Sequence, residues 1–150
     1  MRALLPWLSL LAFAGCTTLK PIEVVRVDGL GELSIGRGGI GGELALVINN
    51  SNPVAIAAES VDLDLAISGT RVGQVELPYT QSISKGPDQL LRLSVQTETV
   101  ALLSVLEANL IRFIAGEEVE VSVKGEVKGS ALGIAVVIPV DSKQNIKIQL

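Results

Sequence analysis

The sequence predicts a mainly β protein, an antiparallel β-sandwich with one amphipathic α-helix at about residues 98–115. Apolar residues alternate with polar ones through most of the chain after residue 22, which is the two-residue period of strands. Between Thr97 and Ala115 the spacing changes to three and four residues, as in a helix. Aromatic residues make up only 3% of the chain, so the core must consist of Val, Leu and Ile, which favour strands.

Length and charge limit the function classes. The 150 residues have room for one domain with its own core, and 48% hydrophobic residues exclude a disordered chain. The formal net charge is −4, and the basic residues are scattered without interleaved aromatic residues. We therefore expect no nucleic-acid partner. An acidic surface is repelled by anionic headgroups, so attachment to a membrane must come from another feature.

The N-terminus supplies that feature. A basic start, Met1-Arg2, precedes the apolar run Ala3–Ala14, which is shorter than the ~20 residues that a membrane span needs but fits a secretory signal. Small residues then precede Cys16, the only cysteine, in a pattern that resembles the bacterial lipobox. The alternative interpretation is an ordinary signal peptide with an incidental cysteine.

The lipobox resemblance implies that residues 1–15 are a signal peptide and that Cys16 carries a covalent lipid. Each buried methylene of such an anchor contributes about 0.8 kcal/mol to membrane attachment. Residues 16–21 then form the lipidated N-terminus and a short tether. The resemblance also implies the bacterial cell envelope as the location. By analogy with the sorting rules of enterobacterial lipoproteins, Thr17 in place of Asp after Cys16 favours the outer membrane, facing the periplasm.

The first elements of the domain are a strand and a glycine-rich connection. Ile22–Asp28 is rich in Val and is expected to be a strand. Gly29–Gly42 holds seven glycines in fourteen residues and is expected to be an irregular, flexible loop. Gly36–Gly41 matches G-x-G-x-x-G, but a nucleotide-binding loop must open a helix, whereas a strand follows here. We expect no nucleotide site.

Residues 43–73 contain a strand, an asparagine-rich turn and a hairpin. Alternation in Glu43–Ile48 predicts a strand, and Asn49–Pro53 ends it because Asn and Ser favour turns and Pro lacks a ladder donor. Alternation resumes in Val61–Ile67, with its aliphatic residues facing the core and Asp62 and Asp64 facing water. Ser68-Gly69-Thr70 is then expected to turn the chain into a return strand at Arg71–Tyr79.

This stretch resembles the type 2 late-embryogenesis-abundant domain, also called the water-stress and hypersensitive-response (WHy) domain. The resemblance is carried by Asn50-Ser51-Asn52-Pro53, Val61–Leu65 and Ser68–Gly73. Members of the family usually read Asn-Pro-Asn-Pro at the turn, so Ser51 departs from the pattern. The resemblance implies an immunoglobulin/fibronectin-III-like sandwich over residues 22–150, in which Asn50, Asn52 and Pro53 form a structural turn.

The one predicted helix follows a strand at Gln89–Gln96, which Gly86-Pro87-Asp88 precedes as a turn. Thr97 is expected to cap the helix and Gly116 to end it. We expect the helix to cover an open end or face of the sheet. Its apolar stripe is predicted to be Val100, Leu103, Leu106, Leu110 and Phe113, widened by Ala101, Leu102, Val105 and Ile111.

The C-terminal third predicts three more strands. Alternation predicts a strand at Glu117–Lys128, with its glutamates forming a solvated edge that resists strand addition. A turn at Gly129-Ser130 is expected to lead to an apolar strand at Gly133–Val140. A second turn at Asp141–Asn145 is expected to precede a last strand at Ile146–Leu150.

No residue pattern predicts catalysis. Ser82–Lys85 is a formal S-x-x-K, but that chemistry needs the serine at the start of a helix and further motifs that the sequence lacks. Asp62 and Asp64 share one side of a strand, whereas calcium needs six or more oxygens from several segments. We expect no enzyme, no metal, no small-molecule substrate and no cofactor apart from the lipid on Cys16.

Two functions remain open. The family resemblance implies a non-catalytic lipoprotein that protects or binds proteins or membranes under desiccation or other stress. The alternative is an accessory or assembly subunit that docks on one specific cell-envelope partner. Such a subunit would use a strand edge or an exposed apolar patch on the helix around Leu102, Val105 and Ile111.

Overall fold

The computed structural model describes residues 19–148, within which the chain forms ten β-strands, one 3-10 turn and one α-helix. The strands are β1 (Glu23–Asp28), β2 (Ser34–Gly36), β3 (Gly39–Gly41), β4 (Glu43–Asn50), β5 (Ile56–Ile67), β6 (Thr70–Glu76), β7 (Gln81–Ile83), β8 (Gly86–Thr97), β9 (Val119–Ala131) and β10 (Ile134–Ile146). The 3-10 turn is Leu30–Glu32, and helix α1 is Thr99–Ile114. In this part of the chain no helix has the length and apolar character that crossing a membrane requires.

Eight strands form one antiparallel sheet that nearly closes on itself. Its order is β1-β4-β8-β6-β5-β9-β10, with β7 paired to β5. At the remaining gap, Gln144 Nε2 in β10 donates a hydrogen bond of 2.9 Å to the carbonyl oxygen of Val27 in β1. Opposite sides of the sheet therefore face each other across one core, which confirms the predicted mainly β, sandwich-like class.

Strands β6 and β7 share one position in the sheet. β6 pairs with the second half of β5 and with the end of β8, while β7 pairs with the start of β5. The side chain of Gln81 continues the pairing toward β8, because its Oε1 accepts from the backbone N–H of Arg92 at 2.9 Å and its Nε2 donates to the Arg92 carbonyl at 2.7 Å. A side-chain amide thus replaces backbone pairing beside β8.

The core consists of aliphatic side chains, as the composition predicts. In β5 the residues Leu63, Leu65 and Ile67 are buried, and the intervening Asp62 and Asp64 are exposed, so the alternation is confirmed there. Burying one such aliphatic side chain contributes roughly 1.5–3 kcal/mol.

Three predicted turns lie inside strands. Gly86-Pro87-Asp88 begins β8, Gly129-Ser130 lies in β9, and Asp141–Asn145 lies in β10. The physical reason is clearest at Gly129, where a Cβ would lie 2.2 Å from the carbonyl oxygen of Ala57 in β5. The glycine therefore permits a close approach of two strands and does not turn the chain.

The true turn between β9 and β10 is Leu132-Gly133. Both residues have positive φ, 52° and 75°, which is the requirement of a two-residue hairpin turn. The pairing of β9 with β10 then runs without a break, from Ala131 opposite Ile134 to Val119 opposite Ile146. This long ladder keeps Asp141–Asn145 extended despite their turn-like composition.

The glycine-rich connection is more regular than expected, since it holds the 3-10 turn and a small hairpin of β2 and β3. This hairpin also explains why Thr97 does not cap the helix. The hydroxyl oxygen of Thr97 accepts a hydrogen bond from the backbone N–H of Ile40 at 2.8 Å, and Glu98 occupies the N-cap position without a side-chain capping bond. At the other end Gly116 has φ 69° and terminates α1 as predicted.

The predicted buried stripe of α1 is largely wrong. Leu102, Val105 and Phe113 are buried, whereas Val100 and Leu103 are exposed. The helix is apolar on both sides, so periodicity alone does not decide which side is inward. The inward side is determined by the packing of α1 against β6. At the start of the helix this contact includes a hydrogen bond of 2.7 Å from the N–H of Glu98 to the carbonyl oxygen of Val72 in β6.

Candidate functional site

The sheet has two ends of different character. At the first, which we call the tether end, β1 begins beside the end of β4 and the β9–β10 turn lies nearby. At the second, the helix end, β8 leads into α1, and α1 leads into β9. The candidate functional features divide between these two ends.

The tether end is built around an asparagine corner, formed by Asn50 and Asn52, whose exposed fractions are 1% and 2%. Asn50 Nδ2 donates to the carbonyl oxygens of Val54 at 3.0 Å, Ile83 at 3.3 Å and Ser84 at 3.4 Å. Its Oδ1 accepts from the backbone N–H of Asn52 at 3.1 Å and from Asn52 Nδ2 at 3.2 Å. One buried amide thus joins the end of β4, the following turn and the end of β7.

Asn52 extends this network to the tether. Its Nδ2 donates to the carbonyl oxygen of Lys20 at 2.9 Å, and its Oδ1 accepts from the Lys20 backbone N–H. The side-chain amide therefore pairs with the tether backbone as a neighbouring strand would. The position where the chain enters the domain is fixed by this pair of hydrogen bonds.

The structure brings two of the three predicted turn residues together and adds one that the sequence did not indicate. Pro53 is exposed and follows the corner. Lys20 lies 32 residues before Asn52, so no local pattern links them. The available signal was chemical: a buried amide offers one donor side and one acceptor side, which match a backbone peptide group.

The proposed lipidation site lies outside the described residues. The structure begins at Leu19, so the segment 1–15, Cys16 and the first part of the 16–21 tether are not covered. The described part of the tether, residues 19–21, and the first domain residue, Ile22, run beside β10. A groove of about 450 Å³ separates Leu19–Ile22 from Ile134–Val137.

The helix end presents an apolar surface, which we call the outer helix face. Its five side chains are between 48% and 82% exposed, and their spacing of three, four and seven residues places them on one side of α1. They are Val100, Leu103, Leu110, Ile111 and Ile114. The patch expected around Leu102, Val105 and Ile111 is therefore wrong for Leu102 and Val105, which are core residues.

The aspartates considered for calcium lie on an exposed strand face. Asp64 Oδ1 is 2.8 Å from Arg71 Nε, and Arg71 Nη1 is 2.7 Å from Glu98 Oε2. The hydrogen bond to Asp64, together with the charges of Glu98 and Asp64, raises the pKa of Arg71 above its ordinary value. Asp64 thus has a cationic partner already. Within residues 19–148 no group of three or more His, Cys, Asp or Glu side chains is placed to hold a metal ion.

The two other motifs lack the structural context that their chemistry needs. Ser82 lies in β7 with its side chain exposed, and not at the start of a helix. Gly36–Gly41 forms most of the β2–β3 hairpin and precedes β4. Neither segment can present a helix N-terminus to a substrate.

A family model described as "Late embryogenesis abundant protein", LEA_2, matches residues 45–144. A search of curated proteins finds no match. The solution structure of AT1g01470 from Arabidopsis thaliana is similar, with a TM-score of 0.67 and 15% identity over 89% of this chain and 84% of that one. A crystal structure of a protein from Archaeoglobus fulgidus has a TM-score of 0.55 and 11% identity over 89% and 99% of the two chains. At these identities the structural likeness concerns the fold alone.

Proposed function

Because this chain belongs to the LEA_2 family of late embryogenesis abundant proteins, we propose that it is a non-catalytic envelope lipoprotein that limits damage to proteins or membranes under water stress. The observation that carries this proposal is the family match, which spans 100 residues from 45 to 144. A stress-related role belongs to the family as a whole. The envelope location and the lipid are additions made from the N-terminal sequence.

The lipid anchor is the first part of the proposal. The apolar run Ala3–Ala14 and the single Cys16 support it. The two hydrogen bonds between Asn52 and the Lys20 backbone are consistent with an anchor that positions the domain. A tether whose domain end is fixed would limit how far the domain can move relative to the membrane.

The anchor is tested by expressing the chain in a bacterium with an outer membrane. We expect the mature mass to equal residues 16–150 plus a diacylglycerol-type adduct, recovered in the outer-membrane fraction. Cys16→Ser should carry no adduct, should keep the uncut signal segment and should be missing from the outer-membrane fraction. A mature wild-type chain without any adduct would contradict the lipoprotein assignment.

Shielding is the second part of the proposal. Proteins that partly unfold on drying expose apolar segments, and the outer helix face offers them an apolar surface on a folded, acidic domain. Such contacts are weak and unspecific, so they would delay aggregation without holding one client. No catalytic step is required.

The test is a form that starts at Thr17 and is dried together with a labile enzyme. We expect it to preserve more enzyme activity than an unrelated acidic sandwich of equal size. A double variant, Leu103→Gln with Ile111→Gln, should lose most of the advantage, while Val25→Gln on the exposed face of β1 should keep it. Protection no greater than the unrelated protein gives would refute general shielding.

One observation favours a second function, docking on one specific envelope partner. The outer helix face is an apolar surface with the exposed Glu107 between Leu103 and Ile111. A partner that covered this face would have to offer Glu107 a matching cation, which favours one specific partner. Pull-down with the chain from Thr17 distinguishes the two functions. Saturable, Glu107-dependent binding to one envelope protein would support docking and would contradict broad shielding.

A further inference from the structure

The turn of the β9–β10 hairpin carries an unusual side chain. Leu132 has φ 52° and is 71% exposed. Two-residue hairpin turns favour Asn, Asp or Gly at this position, because a positive φ strains other residues. Leu132 therefore combines backbone strain with exposure of a large apolar group, and both are unfavourable in water.

Leu132 is part of a larger apolar surface. Ile134, two residues further along in the strand that follows, is 46% exposed. We call Leu132 and Ile134 the apolar tip. Val137 is also exposed, but it lies on the opposite face of β10 from Ile134 and is paired with Lys128. From Ala131 to Val140 the chain has ten consecutive residues without a charge, although its net charge is −4. The tip therefore belongs to an uncharged stretch of an acidic chain, and the charged Lys128 and Glu126 of β9 pair with its later residues, Val137 and Pro139.

The path of the chain indicates what covers the apolar tip. Leu19–Ile22 and Ile134–Val137 line the two sides of one groove. Cys16 lies three residues before Leu19, and Ala14, the last residue of the apolar run, lies five residues before it. An extended chain spans about 3.5 Å per residue, so these residues lie within about 10 Å and about 18 Å of Leu19. Whatever holds the N-terminal segment must lie close to the tip.

The charges around the tip are compatible with a lipid surface. Lys20 is exposed beside the groove while its backbone is held by Asn52. On the neighbouring strands, Glu59 Oε1 accepts a hydrogen bond from Ser130 Oγ at 2.7 Å, and Lys128 Nζ lies 3.4 Å from Glu126 Oε1. A flanking lysine next to an uncharged apolar loop is the arrangement that favours an interface with anionic headgroups.

We propose that the apolar tip inserts into the headgroup and upper acyl region of the bilayer that holds the N-terminal segment. This inference rests on the membrane tether proposed above. The tip adds a second attachment point beside the first, so the domain stands on its tether end with a fixed orientation, and the outer helix face points away from the lipid.

Trp7 is the only tryptophan, which makes fluorescence quenching a direct test. The protein purified from the bacterial envelope carries Trp7→Phe, so that any retained signal segment adds no fluorescence. It is reconstituted into phosphatidylethanolamine and phosphatidylglycerol vesicles that contain lipids brominated in the upper acyl chain. Leu132→Trp and Ile134→Trp report on the tip, and Ile134 lies in β10, so it still reports if a substitution in the strained turn prevents folding. Ile111→Trp, 82% exposed at the helix end, is the matched control.

Interfacial loops bury their apolar residues about 5–10 Å into this boundary, so we expect roughly twofold quenching or more at both tip positions and none at Ile111→Trp. The inference is overturned if the tryptophans at the tip are quenched by iodide in the water and not by the brominated lipids. That result would mean that the tip stays outside the bilayer. Equal quenching at Ile111→Trp would also overturn it, since the domain would then have no fixed orientation.

Whether Cys16 carries a lipid is measured separately, from the mass of the peptide that contains Cys16. A chain without an acyl adduct that still shows quenching at the tip refutes the lipoprotein proposal and supports the tip. An acylated chain without quenching supports the lipoprotein and refutes the tip. Concentration-dependent crosslinking through the tip would identify a second copy of the chain as its cover and would equally refute insertion.

Discussion

Replacing Asn50 by Asp tests the asparagine corner with the smallest change of shape. The substitution keeps the oxygen that accepts from Asn52 and replaces the donor Nδ2 by a carboxylate oxygen. That oxygen then faces the carbonyls of Val54, Ile83 and Ser84 at 3.0, 3.3 and 3.4 Å, which share the two protons of Nδ2 in the parent protein. Two lost hydrogen bonds cost about 1 kcal/mol each, and a buried charge facing acceptors adds about 2 kcal/mol or more. We expect a loss of about 4 kcal/mol in the free energy of unfolding at pH 7.

The same variant has a defined pH dependence. Burial against carbonyl oxygens holds the pKa of the introduced carboxyl in the folded protein above its unfolded value. The folded variant therefore binds the proton more tightly, so stability relative to the parent falls as the pH rises from the unfolded pKa, near 4, through the folded pKa. Below that window the protonated carboxyl donates one hydrogen bond again, and the deficit should shrink to about 1 kcal/mol.

Urea unfolding of the form starting at Thr17, followed by circular dichroism at pH 7 and pH 4, measures both effects. Asn49→Asp is the control, because Asn49 uses only its oxygen, which accepts from the N–H of Asp88 at 3.1 Å. Its change should stay below about 0.5 kcal/mol. The reasoning is refuted if Asn50→Asp differs from this control by less than 1 kcal/mol at pH 7, or if its deficit does not shrink at pH 4.

Three further predictions concern glycines, the helix and the surface charges. Gly125→Ala should lower the free energy of unfolding by about 3 kcal/mol or more, since φ is 143° and the new Cβ would lie 1.9 Å from the carbonyl oxygen of Asp62. Gly69→Ala should lower it by only about 1 kcal/mol, because there is open space around this turn. Leu102→Ala should lower the free energy of unfolding by about 3 kcal/mol because Leu102 is buried, and Leu103→Ala by less than about 0.5 kcal/mol because Leu103 is exposed. Equal losses would contradict the burial of α1. Arg71→Met should change stability by less than about 1 kcal/mol, with the difference shrinking at high salt because both ion pairs are exposed. Urea unfolding measures all three.

Local patterns predicted the elements that local physics determines. The β5–β6 hairpin was predictable because Leu63, Leu65 and Ile67 alternate with polar residues and Ser68-Gly69 makes the turn. Gly116 as the end of α1 was predictable for the same reason, since a positive φ at the end of a helix favours glycine.

Predictions failed where long-range pairing overrides local preference. Gly129 has the composition of a turn, but it lies in β9 because β5 needs a close approach there. The inward side of α1 depended on its contact with β6, since both of its sides are apolar. Lys20 joined the candidate site only through a hydrogen bond across 32 residues. None of these contacts leaves a periodic trace in the sequence.

The bond between Gln144 and Val27 has a consequence for the timing of folding, because it joins positions 117 residues apart. The β5–β6 and β9–β10 hairpins can form as soon as their own residues are made, but the ring of strands cannot close before residue 144 exists. At about 5–20 residues per second, the synthesis of these 117 residues takes roughly 6–23 s, and β1 lacks its last neighbour for that time. During that interval the unpaired edge of β1 is open to pairing with other chains.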